Sequence, residues 1–473
     1  MVFSSMIFIW LFLPLTVVCC LILRKLPAQN ILLLIISLLF YAWGNPVHLP
    51  LLIVSIALNY ACGILMVRAR ASDEADGSRT RERRVLAGGI VINLGLLTWF
   101  KYAGFILRTI GRILPVPVPQ LAIALPIGIS FFTFQSLSYL IDLYRRQIRV
   151  QKNPLDLALY VSFFPQLIAG PIVKYHDIEE ALTDRAMTME GFAEGFRRFL
   201  YGFGKKVVIA NQLALVVDRV YAAQGLPATG EAWLAAICYM LQIYYDFSGY
   251  SDMAIGLGRI FGFRFQENFD LPYLSASIRE FWRRWHISLS TWFRDYLYIP
   301  LGGSRGSAGK TYRNLLIVFA LTGLWHGASF SFVFWGLFHG CFLLLERRGF
   351  SSFLDRHAVF ARVYTLLVVL TGWVFFRAET FRQAWSILYC MFVPHAANAY
   401  LPELMPHLTR VILVLAVIGA GPLQCLLGRL RGADGHPRGK DTVWEGLYLV
   451  CVLCTGILML ITNAYNPFIY YRF

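Results

Sequence analysis

Long apolar runs separated by short polar links are the main pattern along this chain. A helix that crosses a bilayer needs about 20 mostly apolar residues, and the runs predict crossings at 6–23, 31–44, 48–67, 85–100, 121–144, 232–250, 314–345, 361–376, 409–428 and 443–462. Two more segments, 155–173 and 196–218, are shorter or interrupted by Gly and Pro, which favours tilted, re-entrant or interfacial helices. The pattern therefore predicts an all-α polytopic membrane protein with about 10–12 transmembrane helices.

The links between the runs differ in charge. The link 45–50 has no Lys or Arg, whereas the link 68–84 holds six arginines. Because positive charge accumulates in cytoplasmic loops, 68–84 is predicted to be cytoplasmic and the N-terminus to face outward. Its Ser, Asp, Gly and mixed charge also predict a solvated, mobile connector. The basic segments 145–152 and 429–440 predict further cytoplasmic returns, and the prolines of 114–119 predict an extended segment.

Composition supports a membrane protein. The 473 residues are 58% hydrophobic and only 15% charged, compared with about 25% charged in soluble domains. No soluble domain and no internal repeat is recognisable, so 1–473 is predicted to be one integral membrane unit. The missing repeat weakens a transporter interpretation. The net charge of +16 lies in short loops beside apolar runs, which indicates contact with anionic membrane lipid rather than nucleic acid.

Neither the cysteines nor the start of the chain adds a further site. Cys451 and Cys454 have the spacing of a redox or metal pair, but they lie inside the last apolar run with no second pair nearby. No metal site is therefore predicted. The first run has no basic residue before it and no Ala-x-Ala cleavage site, so it is expected to be a retained helix.

The segment 239–345 departs from ordinary membrane sequence. In QIYYDFSGYSD (242–252), Asp246 and Asp252 stand in an apolar stretch, and buried carboxylates need partners. The arginines that follow are the candidates. A structural polar network that joins helices explains these two residues equally well.

A basic, aromatic segment follows at FWRRWHISLS (281–290). On one helix, Arg279 and Arg283 would share a face with each other and roughly with His286. Trp282 and Trp285 predict an aromatic belt at the lipid–water boundary. Between 279 and 313 the local net charge is +5, from seven basic and two acidic residues. This charge fits a lipid-facing patch or a mouth that attracts an anionic molecule such as coenzyme A.

His326, in LTGLWHG (321–327), is the second candidate histidine. A neutral imidazole is the least costly general base to keep in an apolar region, and Gly327 is expected to leave room beside the ring. A lone histidine on an apolar helix is more often a hydrogen-bonded core residue. No carboxylate follows at i+3 or i+4 and no nucleophile elbow is near, which disfavours a metal triad or a serine hydrolase.

Several long motifs together resemble the membrane-bound O-acyltransferase (MBOAT) family, in its alginate O-acetyltransferase branch. Besides the segments above, the resemblance rests on TWFRDYLYIPLGGSR (291–305), PIGISFFTF (126–134), FPQLIAGPI (164–172), GWVFFRA (372–378) and NPFIYYRF (466–473). It covers nearly the whole chain. The resemblance implies tilted helices around a central tunnel, with His326 as the active-site histidine and His286 as the second histidine, nearer the cytoplasm.

The function that the resemblance implies is transfer of an acetyl group from cytoplasmic acetyl-coenzyme A for O-acetylation of an exported polysaccharide. No permanently bound cofactor is expected. Arg283, Arg284, Arg294, Trp285 and Trp325 are candidates for binding the donor. Esterase-like or acceptor proteins outside the inner membrane are expected to complete the transfer. A transporter and a non-catalytic scaffold of a secretion complex are the alternatives.

Overall fold

The structure is a computed structural model that describes residues 1–75, 78–114, 119, 123–223, 225–395, 401–423, 439–462 and 469. About 80% of the protein is helical, and the described residues contain no strand. One isolated β-bridge joins Phe269 and Trp285. The prediction of an all-α polytopic protein is confirmed. Two compact units are present: residues 1–196 with 254–266, and residues 197–253 with 267–473. That 1–473 forms one integral membrane domain stays a prediction.

In chain order the α-helices up to residue 260 are α1 (Leu13–Ile22), α2 (Leu26–Gly44), α3 (Leu49–Ala75), α4 (Thr80–Leu97), α5 (Ala103–Ile113), α6 (Ile129–Tyr144), α7 (Pro154–Ser162), α8 (Phe164–Leu167), α9 (Tyr175–Thr183), α10 (Met189–Gly204), α11 (Asn211–Ala222) and α12 (Thr229–Ile260). The remaining α-helices are α13 (Ile278–Arg284), α14 (Ile287–Phe293), α15 (Ala308–His326), α16 (Phe330–Leu345), α17 (Ser351–Arg356), α18 (Ala358–Arg377), α19 (Phe381–Phe392), α20 (Leu401–Leu404), α21 (His407–Gly419) and α22 (Gly439–Thr462).

Seven helical stretches in the described residues are long and apolar enough to cross a membrane: Leu26–Gly44, Pro46–Glu74, Thr80–Ile113, Met189–Ala222, Phe330–Arg356, Ala358–Arg377 and Val443–Thr462. Two shorter apolar helices are Phe8–Ile22 and His407–Gly419. The helical part of the predicted crossing 121–144 is α6, which begins only at Ile129, and the predicted crossing 232–250 falls within α12. Neither helix is among the seven. Nearly every residue of α6 is buried in the protein, so its apolar character reflects core packing rather than contact with lipid.

The predicted crossing 314–345 is wrong as a single helix. α15 ends at His326 and α16 begins at Phe330, so the segment is a helical hairpin. A Cβ atom on Gly323 would collide with the carbonyl of Phe332, and one on Gly336 with the carbonyl of Phe319. Only glycine permits so close an approach of two helices. The hairpin places His326 at its turn, as the last residue of α15.

The prediction that 68–84 is a solvated connector is also wrong. α3 continues to Ala75 and α4 begins at Thr80, because ion pairs and caps stabilise the helix ends. Arg70 Nη2 lies 2.6 Å from Oε1 of the buried Glu82, and the N–H of Glu82 donates to Asp73 Oδ2 at 2.8 Å. Most of 114–119 and 429–440, and all of 466–473 except Ile469, lie outside the described residues.

Candidate active site

His286 lies between two short helices rather than on one continuous helix. Its φ of 45° and ψ of 56° fall in the left-handed region, which is uncommon for any residue other than glycine. Two backbone contacts hold this turn. One is the preceding β-bridge between Phe269 and Trp285, and the other is a 3.0 Å hydrogen bond from the N–H of Ile287 to the carbonyl of Asn268. Arg279 and Arg283 lie on α13 as predicted and line the same cavity. The extension of their common face to His286 is wrong, because α13 ends before His286.

The side chain of Asn268 contacts the imidazole of His286. Asn268 Oδ1 lies 3.1 Å from Nδ1 of His286 and accepts hydrogen bonds from the N–H of Ser288 at 3.3 Å and from its hydroxyl at 2.8 Å. Asn268 Nδ2 donates to Oγ of Ser251 at 3.0 Å. Sequence reasoning missed Asn268, since a single asparagine in the stretch ENFD carries no motif of its own. Its signal is spatial: complete burial beside a histidine.

The imidazole of His286 is fully buried. Its Nε2 atom has no hydrogen-bond partner among the residues that the structure describes. Phe247 packs against the ring edge to face, with centroids 4.6 Å apart. Burial, followed by repulsion from His326, holds the pKa of His286 well below its usual value. His286 is therefore neutral at physiological pH.

His326 is the last residue of α15 and lies in an aromatic pocket. The rings of Trp335 and Phe376 each meet it edge to face at 5.2 Å, and its side chain is 6% exposed. The expected space beside Gly327 is absent, because a Cβ atom there would collide with the ring of Phe332. A ligand must therefore approach His326 from another side.

The structure brings the two predicted histidines together. Their ring centroids lie 6.4 Å apart, and Trp325 lies 6.1 Å from the His286 ring and 5.0 Å from the His326 ring. Two imidazoles in an enclosed aromatic pocket can accept, hold and pass on protons. Low local polarity strengthens every electrostatic interaction formed there.

The tryptophans of the 281–290 segment are core residues. Trp282 and Trp285 are 8% and 2% exposed, so the predicted lipid–water belt is wrong. Trp285 packs against Trp373 at 4.8 Å and against Phe269 at 5.0 Å. These contacts place Trp285 in the wall that supports His286, whereas Trp325 contacts both histidines.

A cavity of about 840 Å³ lies beside α13. Arg279, Arg283 and Arg347 line it, together with Glu346 and Asp355. Among the described residues, none of these three arginines has a carboxylate within ion-pair distance. The cavity therefore presents three guanidinium groups alongside the carboxylates of Glu280, Glu346 and Asp355.

The other two predicted arginines already have partners. Arg284 lies 3.0 Å from Glu280 and 3.7 Å from Asp270. Arg294 lies 2.7 Å from its neighbour Asp295, which raises the pKa of the guanidinium. Neither residue lines the cavity.

Glu346 lines this cavity and contacts the start of the helix that precedes His286. Its carboxylate is buried and accepts hydrogen bonds from the backbone N–H groups of Ile278, at 2.7 Å, and Arg279, at 3.0 Å. These N–H groups belong to the first turn of α13, whose positive dipole end favours a carboxylate. Glu346 thus fixes the short helix that carries Arg283 and leads into His286.

Asp246 and Asp252 form buried ion pairs. Lys206 Nζ lies 2.5 Å from Oδ1 of Asp246, with both side chains at most 3% exposed. Asp252 pairs with Lys205 and Arg198, each at 2.6 Å. The predicted partners were the arginines that follow, but the observed partners precede both carboxylates in the chain. Neither carboxylate contacts the histidine pair, which supports the structural interpretation of this network.

Comparison with known proteins gives a family for the chain. Residues 94–391 match the family described as MBOAT, membrane-bound O-acyltransferase family. The chain is 48% identical to the probable alginate O-acetylase AlgI of Pseudomonas aeruginosa, over 83% of this chain and 75% of that protein. It is 46% identical to the probable alginate O-acetylase AlgI of Azotobacter vinelandii over the full length of both. It is 33% identical to the peptidoglycan O-acetyltransferase of Helicobacter pylori over 100% of this chain and 98% of that protein.

Proposed function

The chain belongs to the membrane-bound O-acyltransferase family, and we propose that it O-acetylates an exported polysaccharide such as alginate. The acetyl donor is acetyl-coenzyme A on the cytoplasmic side of the bacterial inner membrane. The acceptor is a hydroxyl group presented on the other side, by the polysaccharide or by an esterase-like partner protein. The named activities of the relatives support the reaction class and the polysaccharide acceptor.

The observation that carries this proposal is the pairing of His286 and His326 in a closed aromatic pocket. Attack of a hydroxyl on a thioester requires a base, and a neutral imidazole is such a base. The pocket also excludes water, which would otherwise hydrolyse the thioester.

In the proposed reaction, His326 removes the proton from the acceptor hydroxyl as its oxygen attacks the thioester carbon. The new C–O bond forms a tetrahedral intermediate, whose collapse breaks the C–S bond and releases the coenzyme A thiolate. The proton on His326 then passes to the thiolate, which leaves as the thiol. Atoms and charge balance, and His326 returns to its neutral form.

The donor side of the site is proposed at the cavity beside α13. Arg279, Arg283 and Arg347 line it, and guanidinium groups bind phosphates through charge-assisted hydrogen bonds. Because Arg284 and Arg294 have carboxylate partners, Arg283 is the member of the predicted set best placed for the donor. Trp325 contacts both histidines, whereas Trp285 has a packing role.

Inside-out membrane vesicles from an alginate-producing host that lacks its own homologue test this function. Acetyl-coenzyme A with a labelled acetyl group is supplied outside, where the cytoplasmic face is exposed, and label is measured in the lumen. Ester-linked acetate on luminal polysaccharide, with coenzyme A retained outside, supports the acetyltransferase. Intact acetyl-coenzyme A in the lumen would support a transporter. Assembly of the secretion complex without labelled ester would support a scaffold.

A further inference from the structure

In His286, the second histidine of the site, the ring nitrogen that carries the proton is defined by its neighbours. The backbone N–H of Ser288 lies 3.3 Å from Oδ1 of Asn268. Because this N–H can only donate, it fixes the orientation of the Asn268 amide. Oδ1 therefore faces His286, and an amide oxygen can only accept. The Nδ1 atom of His286, 3.1 Å away, must carry the proton. The hydroxyl of Ser288 is already directed at Oδ1, at 2.8 Å.

The consequence is a lone pair on Nε2 of His286. This atom is buried and has no hydrogen-bond partner among the described residues, although a buried acceptor without a partner is costly. The backbone at His286 is left-handed, which adds a further local cost. Both costs are concentrated at one residue beside His326, which is typical of a functional position.

We propose that Asn268 is a positioning residue that holds His286 as the Nδ1–H tautomer, so that its Nε2 accepts a hydrogen bond from an O–H or N–H group of the reacting substrates. This inference rests on the proposed acetyl transfer for its functional consequence. The groups that face His286 from the elements packed against it are Phe247 on α12, Asn268, Ser288 on α14, and Trp325 and His326 on α15. Of these, only His326 is titratable.

The first experiment measures the tautomer directly. Protein labelled with ¹⁵N-histidine is examined by NMR at pH 8, and the His286 signals are assigned by their loss in His286→Gln. The proposal requires a protonated Nδ1 and an unprotonated Nε2 in the wild-type protein and a changed pattern in Asn268→Leu. A wild-type His286 with its proton on Nε2 overturns it. This readout does not depend on activity, so it stands apart from failure of the proposed function.

The second experiment measures the pH dependence of acetyl transfer in Asn268→Asp. The carboxylate keeps the acceptor at Nδ1 but favours the imidazolium, so the acid limb of the rate profile should move to higher pH. Asn268→Leu removes the acceptor and should lower kcat about 10- to 100-fold, the loss typical of a partner that orients a functional histidine. A merely structural Asn268 would reduce the amount of folded protein without moving the acid limb, and that result would overturn the proposal.

Gln383→Glu is the matched control for the Asp variant. It makes the same amide-to-carboxylate change on α19, where the side chain contacts the N–H of Glu379 and the carbonyl of Tyr221. It should leave the acid limb where it is. An equal displacement in Gln383→Glu would show that added charge alone moves the profile, and would also overturn the proposal.

Discussion

The imidazoles of His286 and His326 lie 6.4 Å apart, centroid to centroid. His286 is held at the junction of α13 and α14, and His326 at the turn of the hairpin formed by α15 and α16. Each ring therefore depends on a break in helical structure. In the proposed reaction, the paired positions provide one base for the acceptor hydroxyl and a second hydrogen-bond acceptor beside it.

Close packing of the hairpin predicts that Gly323→Ala is destabilising. The added methyl group would collide with the carbonyl of Phe332, and overpacking of this kind costs about 1–3 kcal/mol. Gly309→Ala on the same helix is the control, because nothing lies within 4 Å of its added Cβ. Thermal unfolding in detergent should show a lower Tm for Gly323→Ala only. Equal Tm values for the two variants would contradict the packing of α15 on α16.

The buried pair of Lys206 and Asp246 predicts a large loss of stability in Asp246→Ala. Removing one partner leaves the other as a buried charge, at a cost of about 3–5 kcal/mol. Asp295→Ala removes one partner of an ion pair with the exposed Arg294 and should cost less than about 1 kcal/mol. Unfolding in a denaturant series compares the two. A similar loss in both variants would show that the Lys206–Asp246 contact is not formed as described.

His176 predicts a stability contribution that is lost at alkaline pH. Its imidazole lies 2.9 Å from Asp142 and 3.2 Å from Asp177, and hydrogen bonds to these carboxylates raise its pKa to about 9. A group whose pKa is raised by folding contributes its full stability below the pKa of the unfolded state, which is about 6.5 for histidine. This contribution is lost as the pH rises above the pKa of the folded state. The Tm difference between wild type and His176→Gln should therefore shrink from pH 6.5 to 9.5. A difference that is constant over this range would refute the charged pair.

The cavity arginines predict a selective effect on the donor. Arg283→Ala should raise KM for acetyl-coenzyme A about tenfold, equivalent to about 1.4 kcal/mol of lost phosphate binding, with little change in kcat. KM for acetyl-pantetheine, which lacks the nucleotide phosphates, should not change. Arg294→Ala, outside the cavity, is the control. An equal rise with both donors would place Arg283 away from the phosphates.

The sequence was sufficient for the helical class, the candidate histidines and the family, since apolar run length and long motifs carry that information. It did not predict the turn at His286, because FWRRWHISLS contains neither Gly nor Pro to mark a break and backbone hydrogen bonds to 268–270 impose it. The role of Gly327 was also missed, since spacing along the chain cannot show that Phe332 covers it. The contacts of Asn268 with His286 and of Lys206 with Asp246 could not be predicted, because they depend on how distant segments pack.

The most direct test of the account is the rate of labelled acetyl transfer in inside-out vesicles with His326→Ala, compared at equal protein level with His357→Ala. His357 is exposed and its ring bonds only the carbonyl of Phe353 among the described residues. If His326 is the base, His326→Ala should lose at least about 100-fold in rate, the lower bound for removal of a general base, and His357→Ala should transfer at a near wild-type rate. Transfer that survives in His326→Ala at the rate of His357→Ala would contradict the assignment of His326 as the base.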